Sequence, residues 1–210
     1  MRKIVLGVLI GVFASTVWQT VTFSQTGVPP QAPPTAASRF PPGTPPQIAF
    51  DIPKTDVDTL LKNAPPAVDQ QLRVVDMGKY NLAVGVIHRG PTKDQAGTPP
   101  AGPYHDYTAE VYIMLSGSGI LTTGGTGEKK PGTNYNLLNG PGGNQVAGPG
   151  SYSRRVGPGD IIIIPPGVLH AFSQITDHVN YLSVRPDPDR VLPGGYVNPL
   201  LLKNQLTAVK

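Results

Sequence analysis

The stretch that decides the fold is residues 159–174, which read GDIIIIPPGVLHAFSQ. Its opening Gly-Asp predicts a turn into an apolar strand, Ile161 to Ile164, which we expect to be buried on both faces. The Pro-Pro-Gly that follows predicts a rigid turn at the end of that strand. Because side chains alternate along a strand, His170, Phe172 and Gln174 are predicted to share one face, which would line the interior of a β-barrel.

Short runs of the same kind recur on both sides of this stretch. They are rich in Val, Ile and Tyr and are separated by Gly and Pro, which is the pattern of strands joined by turns. Many short strands within about 130 residues predict an all-β sandwich or barrel. The predicted strands are LRVVDM (72–77), YNLAVGVIHR (80–89), AEVYIML (109–115), GILTT (119–123), DIIIIP (160–165), HAFSQI (170–175) and VNYLSVR (179–185).

The first 24 residues predict a secretory signal peptide. Arg2 and Lys3 form a positive start, and Ile4 to Trp18 is an uncharged, mostly apolar run. That run of about 15 residues is shorter than the 20 or so that a transmembrane helix needs, and a cut after Ser24 suits the small-residue rule. An uncleaved anchor is the alternative. We therefore expect a periplasmic or secreted protein without stable membrane insertion once the signal is removed.

Composition excludes several classes of function. The chain has no cysteine, which removes disulfides, thiolate nucleophiles, cysteine-based zinc sites and iron–sulfur clusters. It has 17 basic and 13 acidic residues, and loss of Arg2 and Lys3 with the signal leaves 15 against 13, a net charge of +2. A charge that small indicates no nucleic-acid partner.

The remaining chain divides into four predicted segments. Residues 25–50 are Pro-rich and predict an extended spacer. Residues 51–70 carry a short helix and lead-in, residues 71–192 the barrel, and residues 193–210 a C-terminal tail. Within the barrel, residues 124–157 are dense in Gly and Asn and predict a long insertion loop, either a lid or an inert loop.

The short helix is predicted from its cap and its apolar stripe. Thr55 is in position to cap it, with Asp58 three residues later in an arrangement close to a capping box. Two consecutive prolines, Pro65 and Pro66, end it. The apolar stripe, which we expect to pack on the outside of the barrel, is formed by Val57, Leu60 and Leu61.

Two segments of the chain resemble the paired motifs of the cupin superfamily. Residues 159–174 match the second motif at its glycines, its proline and its histidine, His170, and depart from it where Gln174 replaces the final asparagine. The first motif is partial. His105 and Glu110 fall on register between the motif glycines, but Pro103 stands where the first histidine would be. The resemblance covers about residues 72–190 and is to small single-domain bacterial cupins.

This resemblance implies a fold and a cofactor. The fold is all-β, a single cupin barrel (double-stranded β-helix or jelly roll) with a short N-terminal helix. The implied cofactor is a divalent metal held by His105, Glu110 and His170. Imidazole and carboxylate ligands suit Fe, Mn, Zn, Ni or Cu, and two histidines with one carboxylate are the ligand type of non-haem iron oxygenases. Oxygenases, isomerases and lyases all use this fold, so the reaction stays open.

Strand alternation adds predicted neighbours of the metal site. If Glu110 points inward, its alternate neighbours on the same strand also point inward. Two tyrosines flank His105 and could replace the missing ligand or act as an acid. The predicted pocket-lining residues are Tyr104, Tyr107, Tyr112, Met114, Phe172 and Gln174. Outside the motifs, His88 is interpreted as a partly buried structural histidine, and His178 is interpreted as a surface residue. Arg185 is expected either to anchor an anionic substrate or to form a structural ion pair.

Three hypotheses for function remain open at this point. The first is an exported metal-binding cupin that binds or acts on a small polar molecule, with no catalytic residue identified. The second is a non-catalytic receptor for a small ligand, in which the missing histidine marks a lost metal site. The third is a structural or partner-binding domain whose contacts are the linker and the 124–157 loop. A homodimer is expected from the resemblance, since a long apolar edge strand needs cover.

Overall fold

The structure is a computed structural model that describes residues 44–63, 69–132 and 138–205. The predicted signal peptide, most of the linker, and Pro65 and Pro66 lie outside these residues. Within the described ranges, no helix is both long and apolar enough to cross a membrane.

The described chain is almost entirely β-structure. Two short helices stand at its ends, and all strand pairs are antiparallel. The elements are α1 (Lys54–Asn63), β1 (Asp69–Asp76), β2 (Asn81–Arg89), β3 (Ala101–His105), β4 (Glu110–Gly117), β5 (Gly119–Thr123), β6 (Lys129–Pro131), β7 (Gly142–Val146), β8 (Tyr152–Val156), β9 (Ile161–Ile164), β10 (His170–Ser173), β11 (Val179–Asp187) and α2 (Pro199–Gln205).

The strands form one large and two small sheets. The five-stranded sheet has the order β1-β2-β11-β4-β9, and the three-stranded sheets have the orders β10-β5-β8 and β3-β7-β6. One face of the large sheet, called the inner face below, carries Tyr112 and Tyr181 and packs with residues of β5, β8 and β9 into the main apolar core. The opposite, outer face packs on α1 through a second apolar cluster around Leu60 and Val86.

The first helix begins two residues earlier than a cap at Thr55 predicts. Lys54 is its first residue, so Thr55 lies inside the helix and does not cap it. Asp58 does not complete a capping box either, because its carboxylate pairs with the Lys54 ammonium at 2.6 Å, one turn away. The predicted apolar stripe packs as expected: Leu60 is fully buried, with Val57 and Leu61 beside it.

The interpretation of residues 124–157 as one long loop is wrong in part. This segment contains β6, β7 and β8. The middle strand, β7, pairs with β3 and with β6, and β8 pairs with β5. The glycines of the segment permit close strand contact: a Cβ on Gly142 would lie 2.1 Å from the carbonyl oxygen of Tyr104. The predicted C-terminal tail is also structured, since it contains α2 and Val197 bridges to Arg73 of β1.

The isoleucine strand is buried on one face only, contrary to prediction. Ile164 is buried, but Ile161 and Ile163 are 63% and 73% exposed. The reason is position: β9 is the last strand of the five-stranded sheet and pairs there only with β4. Among the described residues, nothing covers the outer face of this edge, where Leu115 of β4 is also exposed.

Candidate metal centre

His105, Glu110 and His170 come together inside the barrel. His105 ends β3, Glu110 begins β4 and His170 begins β10, and one potential ligand atom from each lies within 4.8 Å of the others. The Oε2 atom of Glu110 is 3.0 Å from Nε2 of His170 and 3.6 Å from Nε2 of His105. The three side chains are at most 5% exposed. They are called the His-Glu-His trio below.

Backbone contacts between the two motif segments hold the trio in place. The Gly167 N–H, in the turn before β10, donates to the His105 carbonyl at 2.6 Å. Gly102 allows β3 to approach β10, because a Cβ there would lie 2.7 Å from the His170 carbonyl oxygen. The separation of the two histidines is therefore set by main-chain contacts that do not depend on side-chain rotamers.

The ring of His170 is oriented by a carbonyl group. Its Nδ1 lies 3.0 Å from the carbonyl oxygen of Val168, and because a carbonyl only accepts, Nδ1 carries the proton. In the neutral ring, Nε2 then has its lone pair directed at the trio. Fixing the tautomer through the remote nitrogen is how proteins present histidine to a metal.

Glu110 is held by a buried network on the inner face. Its Oε1 accepts hydrogen bonds from the Ser183 hydroxyl at 2.8 Å and from the Arg185 Nε at 2.7 Å. Its Oε2, which faces the histidines, also accepts from the Tyr112 hydroxyl at 3.2 Å. The guanidinium of Arg185 pairs in addition with Asp69. Of the two alternatives for Arg185, the structure therefore contains the ion pair.

A glycine makes room for this ion-pair network. Gly85 lies opposite Ser183 on the neighbouring strand, and a Cβ on it would lie 2.9 Å from Asp69 Oδ1 and 3.1 Å from Arg185 Nη1. A side chain at this position would displace both charged groups. The glycine thus belongs to the site although it carries no chemistry of its own.

Burial and neighbouring charges set the protonation states of the trio. Burial alone would raise the pKa of Glu110, but Arg185 and then His170 outweigh it and hold that pKa well below its usual range. Burial lowers the pKa of His105 to about 4. Burial, followed by the Glu110 charge, raises the pKa of Tyr112 well above its usual value. At neutral pH the chain therefore offers an ionised carboxylate, a neutral His105 and a protonated tyrosine.

These groups fit a metal ion. Metal binding requires neutral imidazole and ionised carboxylate, and those are the states that the surroundings of His105 and Glu110 impose. One carboxylate oxygen of Glu110 is engaged by Arg185 and Ser183, which leaves the other toward the histidines. The trio could therefore hold a metal ion.

The other predicted site residues fall into two groups. Tyr112 and Met114 are buried in the main core beside the trio, and Phe172 packs against that core. The other three do not join them. Tyr104 is buried, but its hydroxyl lies beside Gly143 of β7. Tyr107 is 50% exposed. Gln174 is exposed beyond the end of β10 in a left-handed conformation, where strand alternation no longer applies.

His88 and His178 lie in a separate polar row. The β-bulge in the β4–β11 pairing brings Ser116 opposite Asn180, whose side chains hydrogen-bond at 2.9 Å. His88 binds Asn180 at 2.8 Å, and His178 binds Ser116 at 3.0 Å. Both rings are thus engaged by neighbouring polar side chains and neither belongs to the trio.

Sequence reasoning missed three residues of the inner face: Ser183, which donates to Glu110, Asp69, which pairs with Arg185, and Arg89, which donates to Tyr181. A signal for two of them was present. Ser183 and Arg185 alternate with Tyr181 along β11, and Arg89 alternates with Ile87 along β2, so each is expected on the inner face. Asp69 precedes the first predicted strand, and only the fold brings it to Arg185.

Comparisons with known proteins give partial likenesses. The chain matches no family model and no curated protein. A solved structure from Bacillus halodurans is 15% identical over 74% of this chain and 92% of that one, with a TM-score of 0.41. A Klebsiella pneumoniae protein with a double-stranded β-helix domain is 16% identical over 66% and 93%, with a TM-score of 0.37.

Enzymes are also among the similar structures. The DMSP lyase DddQ from Ruegeria pomeroyi is 18% identical over 57% of this chain and 46% of the lyase, with a TM-score of 0.35. This chain spans about half or less of the length of the first enzymes that it matches.

Two features of the chain itself identify its fold. Its described strands form antiparallel sheets around one main core, with only two short helices. The two motif segments meet inside, where His105 and Glu110 of the first face His170 of the second. The described chain therefore has an all-β fold of antiparallel sheets in which the two segments that resemble the cupin motifs face each other, as that resemblance implies.

Proposed function

We propose that this chain is an exported cupin that binds a divalent metal through His105, Glu110 and His170 and that binds or acts on a small polar molecule. The observation that carries the proposal is the convergence of three buried ligand atoms, from three strands, within 4.8 Å. Iron, manganese, zinc, nickel and copper all accept this donor set. Export is supported by the signal-like sequence of residues 1–24, and we propose a periplasmic or secreted location.

The chain's own residues would prepare the site for such chemistry. A bound divalent metal would supply Lewis acidity, polarising an oxygen of the small molecule. Arg185 keeps Glu110 ionised, and the Val168 carbonyl keeps His170 in the tautomer that presents Nε2. Tyr112 retains its proton at neutral pH and donates it in a hydrogen bond to Glu110 Oε2, so it orients the carboxylate without competing for the metal.

Elemental analysis tests the metal site. The full chain, purified without a histidine tag, is compared with His170→Ala and with His88→Ala, which removes a histidine outside the trio. We expect near-stoichiometric metal in the parent and in His88→Ala, and less than about a tenth of that in His170→Ala. Equal metal in the two variants, with both folded by circular dichroism, would contradict the proposal.

A second candidate function is metal-independent ligand binding. The observation that favours it is the direct 3.0 Å contact between His170 Nε2 and Glu110 Oε2, together with the cation that Arg185 already supplies to Glu110. Both oxygens of Glu110 thus accept hydrogen bonds from protein groups, Oε1 from Ser183 and Arg185 and Oε2 from Tyr112. Saturable binding of a small molecule that survives chelation, in a protein that takes up no metal after anaerobic reconstitution, would favour this candidate.

We also propose that two copies of the chain pair through β9. This edge strand exposes Ile161 and Ile163, and Leu115 of the adjacent strand is exposed on the same sheet. Unpaired backbone groups and apolar side chains on an edge promote strand pairing. Sedimentation of the parent and of Ile163→Lys tests this, with Lys93→Ile as a control for changed charge. A dimer that persists in Ile163→Lys would argue against the β9 interface.

A further inference from the structure

The inner face of the barrel carries two arginines with different surroundings. Arg185 is fully buried and pairs with two carboxylates, Glu110 and Asp69. Arg89, at the end of β2, is half-buried. Its Nε donates to the Tyr181 hydroxyl at 2.9 Å, and its guanidinium carbon lies 5.7 Å from the centre of the Phe172 ring. Within the described part of the chain, no carboxylate lies at ion-pair distance from Arg89.

The charge inside the barrel makes this arginine unusual. Asp69, Glu110 and Asp187 are acidic and Arg185 is basic, so the formal charges of these four groups sum to −2, and Arg89 brings the total to −1. A divalent metal in the trio would change it to +1. In a low-dielectric interior, uncompensated charge is costly, and arginine does not give up its proton to avoid the cost. The metal-loaded interior would therefore favour an anion.

An aromatic wall joins Arg89 to the trio. Tyr112 meets His170 edge-on with ring centres 5.9 Å apart, and it lies 4.4 Å from Tyr181. Tyr181 in turn lies 5.3 Å from Phe172, on which Arg89 rests. Tyr112 and Tyr181 are buried, whereas Phe172 and Arg89 are partly exposed. Solvent therefore meets this wall at the Arg89 end.

We infer that Arg89 is the anion-binding residue of the barrel and that the small molecule taken by this site carries a carboxylate. Because Tyr181 engages Nε, the edge formed by Nη1 and Nη2 remains for a ligand. That edge presents two parallel N–H groups, which match the two oxygens of a planar carboxylate. The remainder of the molecule would lie along the aromatic wall toward the trio. This inference deepens the proposed function and rests on it for the idea that the interior receives a small molecule.

Paired carboxylate and amide probes test the assignment. Benzoate and acetate are compared with benzamide and acetamide by isothermal titration calorimetry against the full chain, in metal-free and metal-loaded forms. The amides keep the shape and lose the charge. We expect at least one carboxylate to bind at least about tenfold more tightly than its amide, the loss that follows when a charged hydrogen-bond partner is removed. The assignment is wrong if neither carboxylate is preferred over its amide.

Variants separate Arg89 from the metal site. Arg89→Met should remove the preference for the carboxylate, and Arg89→Lys should retain a part of it, while both keep the metal content of the parent. Tyr181→Phe removes the hydroxyl that orients Arg89 and should weaken carboxylate binding less than Arg89→Met does. Arg154→Met, a change at a partly exposed arginine of β8, is the matched control and should leave carboxylate binding unchanged.

The two proposals fail in distinguishable ways. Unchanged carboxylate preference in folded Arg89→Met would overturn the Arg89 assignment whatever the metal content is. Absence of metal in the parent, combined with a carboxylate preference that Arg89→Met abolishes, would refute the metal proposal and support the anion site.

Discussion

Replacing Arg185 by methionine should be among the most destabilising single changes in this barrel. Arg185 and Glu110 are each 1% exposed, so water cannot take over the role of the lost partner. Removing one partner of a buried ion pair leaves an uncompensated charge and costs about 3–5 kcal/mol. For a domain of this size that corresponds to a fall in Tm of roughly 6–20 °C. Urea unfolding of the metal-free protein at pH 7, followed by circular dichroism, measures the loss directly.

A double variant tells the cost of the unpaired charge from the cost of lost packing. If isolated carboxylates cause the loss, Arg185→Met combined with Glu110→Gln should be more stable than Arg185→Met alone, because the more deeply buried of the two carboxylates that lost their partner is then uncharged and only Asp69 remains. Arg154→Met is the control, since its pair with Asp160 is partly exposed and such pairs contribute at most about 1 kcal/mol. A double variant no more stable than the single one, or a loss below about 1 kcal/mol for Arg185→Met, would refute the reasoning.

Three further predictions concern the trio and its glycines. Folding lowers the pKa of His105 from 6.5 to about 4, so the stability that comes from its neutral ring is complete above pH 6.5 and is lost as the pH falls toward 4. The free energy of unfolding of the metal-free protein should therefore fall by about 3 kcal/mol between these pH values. In urea titrations, His105→Gln should flatten the dependence of that free energy on pH. Gly85→Ala crowds the ion pair and should cost roughly 1–3 kcal/mol, whereas an unchanged Tm would contradict the close contacts. Gly102→Ala forces β3 from β10 and should weaken metal affinity about tenfold or more in competition titrations, while Gly90→Ala, with nothing within 4 Å of the added carbon, should not.

The sequence predicts the strands whose stability comes from side chains. β2, β4, β5 and β11 are rich in β-branched and aromatic residues, and their positions follow from that pattern. β3 and β7 escape prediction because they meet through glycine and main-chain contact, as at Gly142. Side-chain propensity does not register such contacts, so a glycine-rich segment that forms strands has the composition of a loop.

Four consecutive isoleucines do not show whether β9 is buried on one face or on both. Ile161 and Ile163 are exposed only because β9 stands at the edge of its sheet, and strand order depends on the whole topology. The trio, in contrast, was expected from the resemblance to the cupin motifs, because the positions of His105, Glu110 and His170 within those motifs are a local property of the chain. The partners that set their charge, such as Asp69, lie far away in sequence and are brought together only by the fold.

The barrel should fold without metal. In sites where a carboxylate and neutral histidines face one another without a cation, the metal is needed to neutralise them and folding depends on it. Here Arg185 neutralises Glu110 and the Val168 carbonyl orients His170, so the trio is stabilised by protein groups before any ion arrives. Metal should then stabilise only by mass action, about 2.7 kcal/mol at a hundred times its Kd.

Chelation is the measurement that decides this point. Chelated protein should keep its near-UV circular dichroism and unfold cooperatively, and Arg185→Met should depend on metal much more strongly than the parent does. Loss of tertiary signal from the parent on chelation would show instead that the network around Glu110 cannot support the fold. The positive charge of Arg185 would then weaken metal binding without stabilising the metal-free fold in return.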